Sequence, residues 1–194
     1  MTPIWVAGEP PFLPAEFHWL VGVTHPGFAA PGEEVRNTFG SNISFRRHVF
    51  DAIGGFDASL GRSGAALGQG EETEFCVRMR ATLGKGVIYA PRAEVGHKVF
   101  AWRTGKRWLL ARAFWQGYSK RAMEQLVSTG ARRTEGRFLR QLLTRSVPRR
   151  VAQLVRRPNW NEMTQLVSLG VLTLTVGVGY LYAIVRLWVE IGHL

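Results

Sequence analysis

The stretch GQGEETEFCVRMR, residues 68–80, puts Glu71, Glu72 and Glu74 in a short acidic knot within a chain of net charge +11. Two glycines precede it and an apolar run follows. The spacing predicts a helix beginning near Glu71, with Phe75, Met79 and Leu83 on one buried face. Glu74 and Arg78 form an i, i+4 pair, and Gly84 supplies a C-terminal stop. Three carboxylates in a first turn complement the helix dipole and its free N–H groups. The same physics permits a second role. A carboxylate held at a helix N-terminus behind a glycine loop can take a proton from a hydroxyl during group transfer. Glu71 and Glu72 project about 100° apart, so at most one acts as base while the other binds substrate or holds the loop.

Around this knot the first part of the chain reads as short alternating strands and helices. HWLVGV (18–23) and TFGSNISF (38–45) read as strands. RRHVFDAIGG reads as a helix closed by Gly54 and Gly55. GVIYAPRAEVGHKV (86–99) reads as two extended pieces around Pro91. The 46% hydrophobic content is that of a globular chain of 194 residues. One cysteine, Cys76, excludes an intramolecular disulfide framework and fits a reducing compartment.

The positive charge is concentrated. Residues 98–157 carry 16 Lys and Arg against Glu124 and Glu135, a net of about +14, leaving about −3 for the rest. Two amphipathic stretches lie here, 107–127 and RFLRQLLTRSVPRRVAQLVRR, with Pro148 expected to kink or restart the second helix. Apolar residues on one side and arginines on the other describe helices at an anionic bilayer surface. A solvated basic face packed on the protein's own core is the plainer alternative. Nucleic acid is not expected as a partner, because no nucleic-acid motif accompanies the charge.

Beyond them, LVSLGVLTLTVGVGYLYAIV (166–185) carries no charge and is long enough to cross a hydrocarbon core. Trp160, Tyr180, Tyr182 and Trp188 sit where interfacial anchors would. Arg149, Arg150, Arg156 and Arg157 precede the span, which puts the bulk of the chain in the cytoplasm and the tail from Glu190 on the other side.

The ordered set FGSNISFRRHVFDAIGGFDASLGR, then GEETEFCVRMR, then VIYAPRAEVGHKV resembles the C-terminal half of a family 2 glycosyltransferase of GT-A fold, over roughly residues 15–125. It is most similar to the membrane-associated subgroup working on polyprenyl-phosphate-linked acceptors, such as glucuronosyltransferases acting on a glycosylated dolichyl phosphate. The resemblance implies an α/β fold, the acceptor half of GT-A, over 1–100. Basic membrane-surface helices follow over 101–160, and a transmembrane helix with a short tail over 161–194. It places Glu72 where the family's general base stands, although the family more often has Asp there. Glu71 takes the preceding acidic position that contacts acceptor, and Arg78 a helix arginine with a structural part. Asn42 and Arg46 border the active site as substrate-binding residues, and His97 matches a metal-ligating histidine.

The implied substrates are a nucleotide-sugar donor and a polyprenyl-linked or glycan acceptor. The implied cofactor is Mn²⁺ or Mg²⁺, held mostly by residues outside this segment. The chain has no D-x-D motif, since Asp51 and Asp57 are isolated. The expectation is therefore a truncated or split product, or a donor-binding half supplied by another polypeptide. A non-catalytic membrane-anchored remnant or scaffold, and a membrane-tethered nucleic-acid binder, stand as alternatives.

Overall fold

The structure is a computed structural model that describes residues 1–58, 70–126 and 131–191. It is mixed α/β. Two small sheets sit at one end. Strand β1 (Thr2–Trp5) pairs in parallel with β4 (Gly96–Val99), in the register Thr2 to Gly96 and Trp5 to Val99. Strand β2 (Glu34–Val35) pairs antiparallel with β3 (Val87–Ile88). β3 and β4 are the two extended pieces expected around Pro91.

Helix α1 (Arg47–Ile53) ends at Gly54, whose φ of 78° only glycine adopts readily. Helix α2 (Glu71–Leu83) begins at the acidic knot and closes on Gly84 in the left-handed conformation. Its Phe75 and Met79 are buried, with Phe45, Phe50, Ile53 and Leu83 packed round them. Phe56 adds a ring centroid 4.6 Å from that of Phe75. Arg78 ties the pair of helices together. It bonds Glu74 at 2.7 Å, donates to the Gly55 carbonyl at 2.8 Å, and donates to the carbonyl of Ile53. The helix arginine therefore clamps the G-G-F turn onto α2.

Two expected strands are turns instead. HWLVGV belongs to a 3₁₀ segment, Ala15–Val21, started by Pro14 and stopped by Gly22 at φ 83°. Phe17, Leu20 and Val21 are all buried there. Burial on several sides mimics a core strand in sequence, yet the segment joins neither sheet among the described residues and packs as a turn between Pro14 and Gly22. TFGSNISF carries a 3₁₀ turn at Gly40–Asn42. The turn is closed locally by the Asn42 N–H donating to the Phe39 carbonyl at 2.8 Å, and the Asn42 side chain ties it to the distant Ala93 carbonyl at 2.7 Å.

Helix α3 (Lys106–Leu126) and helix α6 (Trp160–Ile191) are the longest elements. α3 does not lie apart as a free surface helix: it packs lengthwise on α6. A Cβ on Gly117 would overlap the Val176 carbonyl and lie 2.9 Å from the Tyr180 nitrogen. One on Gly179 would overlap the Phe114 carbonyl and lie 2.8 Å from its carbon. The two backbones therefore touch, as small residues allow where helices cross closely. Tyr180 turns to α3 rather than outward and donates to Glu124 at 2.7 Å. Leu109 and Ala113 of α3, Leu169 and Leu172 of α6, and Phe17, Leu20 and Val99 form the main core.

Between them run α4 (Ala131–Gln141), a π-helical turn at Leu142–Ser146, and α5 (Val147–Arg156). The turn widens just before Pro148, which supplies no N–H to the turn behind it. Leu142 is buried, while Leu143, Val151 and Val155 are exposed. Arg150 of α5 bonds Glu16 at 2.8 Å, Glu162 at 3.1 Å and Gln165 at 2.9 Å, fastening α5 to both the 3₁₀ segment and α6. Burial alone would raise the Glu16 carboxyl, but the bonds and charge of Arg150 outweigh it and hold the group below the ordinary carboxylate range.

Among the described residues one helix, 160–186, is long and apolar enough to cross a membrane, and most of its apolar stretch is left uncovered by the fold. Val167, Leu174, Val178, Leu181 and Val185 line its uncovered side.

Gly179→Ala should lower the thermal stability of the detergent-solubilised protein by about 3 kcal/mol, because a backbone carbonyl cannot yield as a side chain can. Gly177→Ala, which meets nothing within 4 Å, should leave it unchanged or slightly raised. Equal melting temperatures for both variants would contradict the close crossing.

Candidate active site

The N-terminus of α2, the 3₁₀ turn at Gly40, the end of β4 and one face of α3 enclose a cleft of about 670 Å³. Its acidic side holds Glu71 and Glu72. Glu71 turns back to accept from the Gly70 N–H at 3.2 Å. The Glu72 carboxylate lies against the Cα of Gly40, filling the space a side chain there would take. The knot thus divides its labour: Glu71 bonds the N–H just before the helix, and Glu72 lies against the turn at Gly40.

The opposite side is basic. Arg112, Gln116 and Lys120 recur every four residues along α3 and line the cleft, with Arg103 just before the helix. Arg112 is buried, and its Nε donates to the Leu20 carbonyl at 3.4 Å. Lys120 sits 5.1 Å from the centroid of the Trp19 ring. Arg103 lies over the rings of Trp102 and Trp108. The sequence places Arg112 and Lys120 outside the apolar cluster of α3, and the structure turns both toward the cleft. Their i, i+4, i+8 spacing through Gln116 was the available signal, but a polar stripe on a basic helix reads first as a solvated face.

Of the expected site residues, Glu71, Glu72 and His97 share this cleft. Asn42 and Arg46 do not: they line a neighbouring groove of about 890 Å³ that contains no carboxylate side chain among its described residues. Asn42 acts there as a tie between two loops, and Arg46 is exposed just before α1.

His97 rests on Gly22, where a Cβ would lie 3.1 Å from its Nε2. Burial, and then the charge of Arg103, lower its pKa, with a backbone bond to Val21 opposing them. The Arg103 guanidinium stands 3.2 Å from Nε2. An arginine can only donate, so Nε2 is the unprotonated acceptor and the proton sits on Nδ1. That nitrogen lone pair is the one a metal would need. A guanidinium faces it, and no group of three or more His, Cys, Asp or Glu gathers among the described residues. The residues at His97 do not fit a divalent cation.

Over 184 residues, 95% of its length, the chain is 44% identical to the glucosyl-dolichyl phosphate glucuronosyltransferase of Haloferax volcanii. The chain is homologous to a dolichyl-phosphate glycosyltransferase. This bears out the resemblance to glucuronosyltransferases acting on a glycosylated dolichyl phosphate. The aligned region spans 58% of the relative's length. No protein-family model and no solved structure matches the chain.

Burial and the Arg103 charge hold His97 below the ordinary imidazole range, which favours its neutral form. Arg103→Gln should raise its titration midpoint, read by imidazole NMR chemical shifts. An unchanged midpoint would show that Arg103 does not face the ring.

Proposed function

We propose that this chain forms the acceptor-side part of an inverting family 2 glycosyltransferase of GT-A fold, transferring a sugar from a nucleotide-sugar to a dolichyl-phosphate-linked acceptor. One observation carries the reading. A single cleft sets Glu72 opposite a basic wall on α3, and the reverse face of α3 is bound to the long apolar helix α6. A lipid-linked acceptor has the three matching parts: a hydroxyl, a negatively charged phosphate and a hydrocarbon tail.

In this reading Arg112 and Lys120 attract the phosphodiester of the acceptor, while its sugar hydroxyl reaches Glu72. The cleft is half-enclosed by protein, which strengthens such charge interactions relative to bulk water. Glu72 takes the hydroxyl proton and the freed oxygen attacks the anomeric carbon of the donor. The bond from that carbon to the nucleotide diphosphate breaks, and the diphosphate leaves with the electron pair. In-line attack inverts the anomeric configuration. Glu71 fixes the loop that precedes α2. A divalent cation neutralising the donor diphosphate is assigned to groups other than His97.

The membrane placement follows from the same elements. The uncovered apolar side of α6 is assigned to the bilayer, and the exposed Leu143, Val151 and Val155 to its surface, amid the arginines of α4 and α5. Arg149, Arg156 and Arg157 favour a cytoplasmic position for the cleft. Arg150 does not count toward that bias, because it is committed to Glu16 and Glu162.

Glu72→Gln keeps the shape and removes the base. In the intact protein, turnover on a glycosylated dolichyl phosphate should fall roughly 10²- to 10⁴-fold. A bare lipid phosphate, already anionic at its attacking oxygen, should be affected little if it is accepted at all. Full turnover of Glu72→Gln on the glycosylated acceptor would overturn the assignment.

A further inference from the structure

The assignment of Glu72 as base leaves open what holds its carboxylate in place. Its own pairing within α2 does not do so: Arg78 bonds Glu74, and Glu71 bonds the Gly70 N–H. What meets Glu72 is a gap in the wall opposite. A Cβ added to Gly40 would overlap Oε1 of Glu72 and lie 2.9 Å from its Cδ and 3.1 Å from its Cγ. The last methylene and the carboxylate therefore lie over the bare Cα of residue 40.

The wall itself is fixed. The turn at Gly40–Asn42 is closed by the Asn42 N–H donating to the Phe39 carbonyl at 2.8 Å. The Asn42 side chain fastens it to the Ala93 carbonyl at 2.7 Å. Phe39 stacks on Phe28 with ring centroids 6.4 Å apart. A flexible side-chain end yields more easily than a backbone turn tied at three points. Gly40 is also not among the glycines with positive φ, so its backbone conformation is open to alanine. Three other polar ends of the cleft's lining rest on glycines: Glu34 on Gly86, which does not itself line the cleft, and His97 on Gly22 and Gln141 on Gly27, whose φ of 83° and 74° favour glycine. Replacement there would mix backbone strain with displacement. Gly40 separates the two.

We propose that Gly40 is a positioning residue of this cleft: its missing side chain makes the notch that admits a carboxylate of glutamate length and sets where Glu72 presents its oxygen. The proposal rests on Glu72 being the base. It carries a specific consequence. A methyl group at position 40 and the last methylene of Glu72 compete for the same space, so shortening the acid should cancel the effect of the methyl group.

The test is a double-substitution cycle in the intact membrane protein, comparing wild type, Gly40→Ala, Glu72→Asp and the double variant, with kcat, KM and melting temperature measured for each. Gly40→Ala alone should reduce kcat by roughly ten- to a hundredfold, as misplacing a reacting group by about 1 Å does, with KM and melting temperature nearly unchanged. In the Glu72→Asp background the same Gly40→Ala change should cost little or restore activity. Equal losses in both backgrounds, or no loss in either, would overturn the proposal. So would a Gly40→Ala protein that unfolds, since the turn rather than the carboxylate would then have given way. Glu72→Gln run alongside separates the causes. If it abolishes turnover while the cycle is additive, only the notch is wrong. If it keeps full turnover, Glu72 is not the base and the notch has no reacting group to position.

Discussion

The contact on which the rest depends is the one between two backbones, where Gly117 of α3 and Gly179 of α6 leave no room for a side chain. Two helices that touch at the backbone cannot rotate independently about their axes. Fixing α3 against α6 buries Leu109 and Ala113 in the main core, and it turns Arg112, Gln116 and Lys120 to the cleft. The same α3 therefore has one face in apolar packing and another lining a polar site. The apolar helix is thus part of the wall behind the site. Arg150 reinforces the arrangement from α5, reaching the 3₁₀ segment and the start of α6 with one guanidinium.

The site combines opposite charges across a short space. Carboxylates gather at the N-terminus of α2, where the helix dipole favours them, and cations line α3 facing them. Each side is held by other contacts: Glu71 by a backbone N–H, Arg103 by His97 and two indole rings, and Lys120 by Trp19. Such committed partners keep the opposing charges from collapsing onto one another and preserve the cleft between them. The imidazole of His97 serves this arrangement as an acceptor for Arg103.

Local signals were legible in the sequence. The α2 boundaries, its buried Phe75 and Met79 and the Glu74–Arg78 pair follow from spacing and glycine stops within thirteen residues. The apolar run of α6 and the Pro148 interruption are equally local. Long-range partners escaped. Whether Arg112 faces lipid or cleft depends on Gly117 meeting Gly179, some sixty residues away, and no periodicity within α3 records that. HWLVGV and TFGSNISF read as strands because their composition suits one, while local turn bonds and packing against distant elements make them 3₁₀ turns. Asn42 and Arg46 were grouped with Glu72 by motif order, yet a turn at Gly40 sends them to the other side of the loop. Gly40 itself gave no signal, since nothing in a lone glycine names the side chain that rests on it.

The central claim is that one face of α6 meets lipid while the cleft held on its other side stays open to water. Spin labels on single cysteines introduced at Leu174 and Leu181, and at Thr73 beside Glu72, test it in the intact protein reconstituted into bilayers. Native Cys76 is buried and burial pushes its thiol up to about 12, so labelling is confined to the introduced sites. The account predicts relaxation by dissolved oxygen at Leu174 and Leu181, and by a water-soluble nickel chelate at Thr73. Chelate access at Leu174 equal to that at Thr73 would place both faces of α6 in water and contradict it.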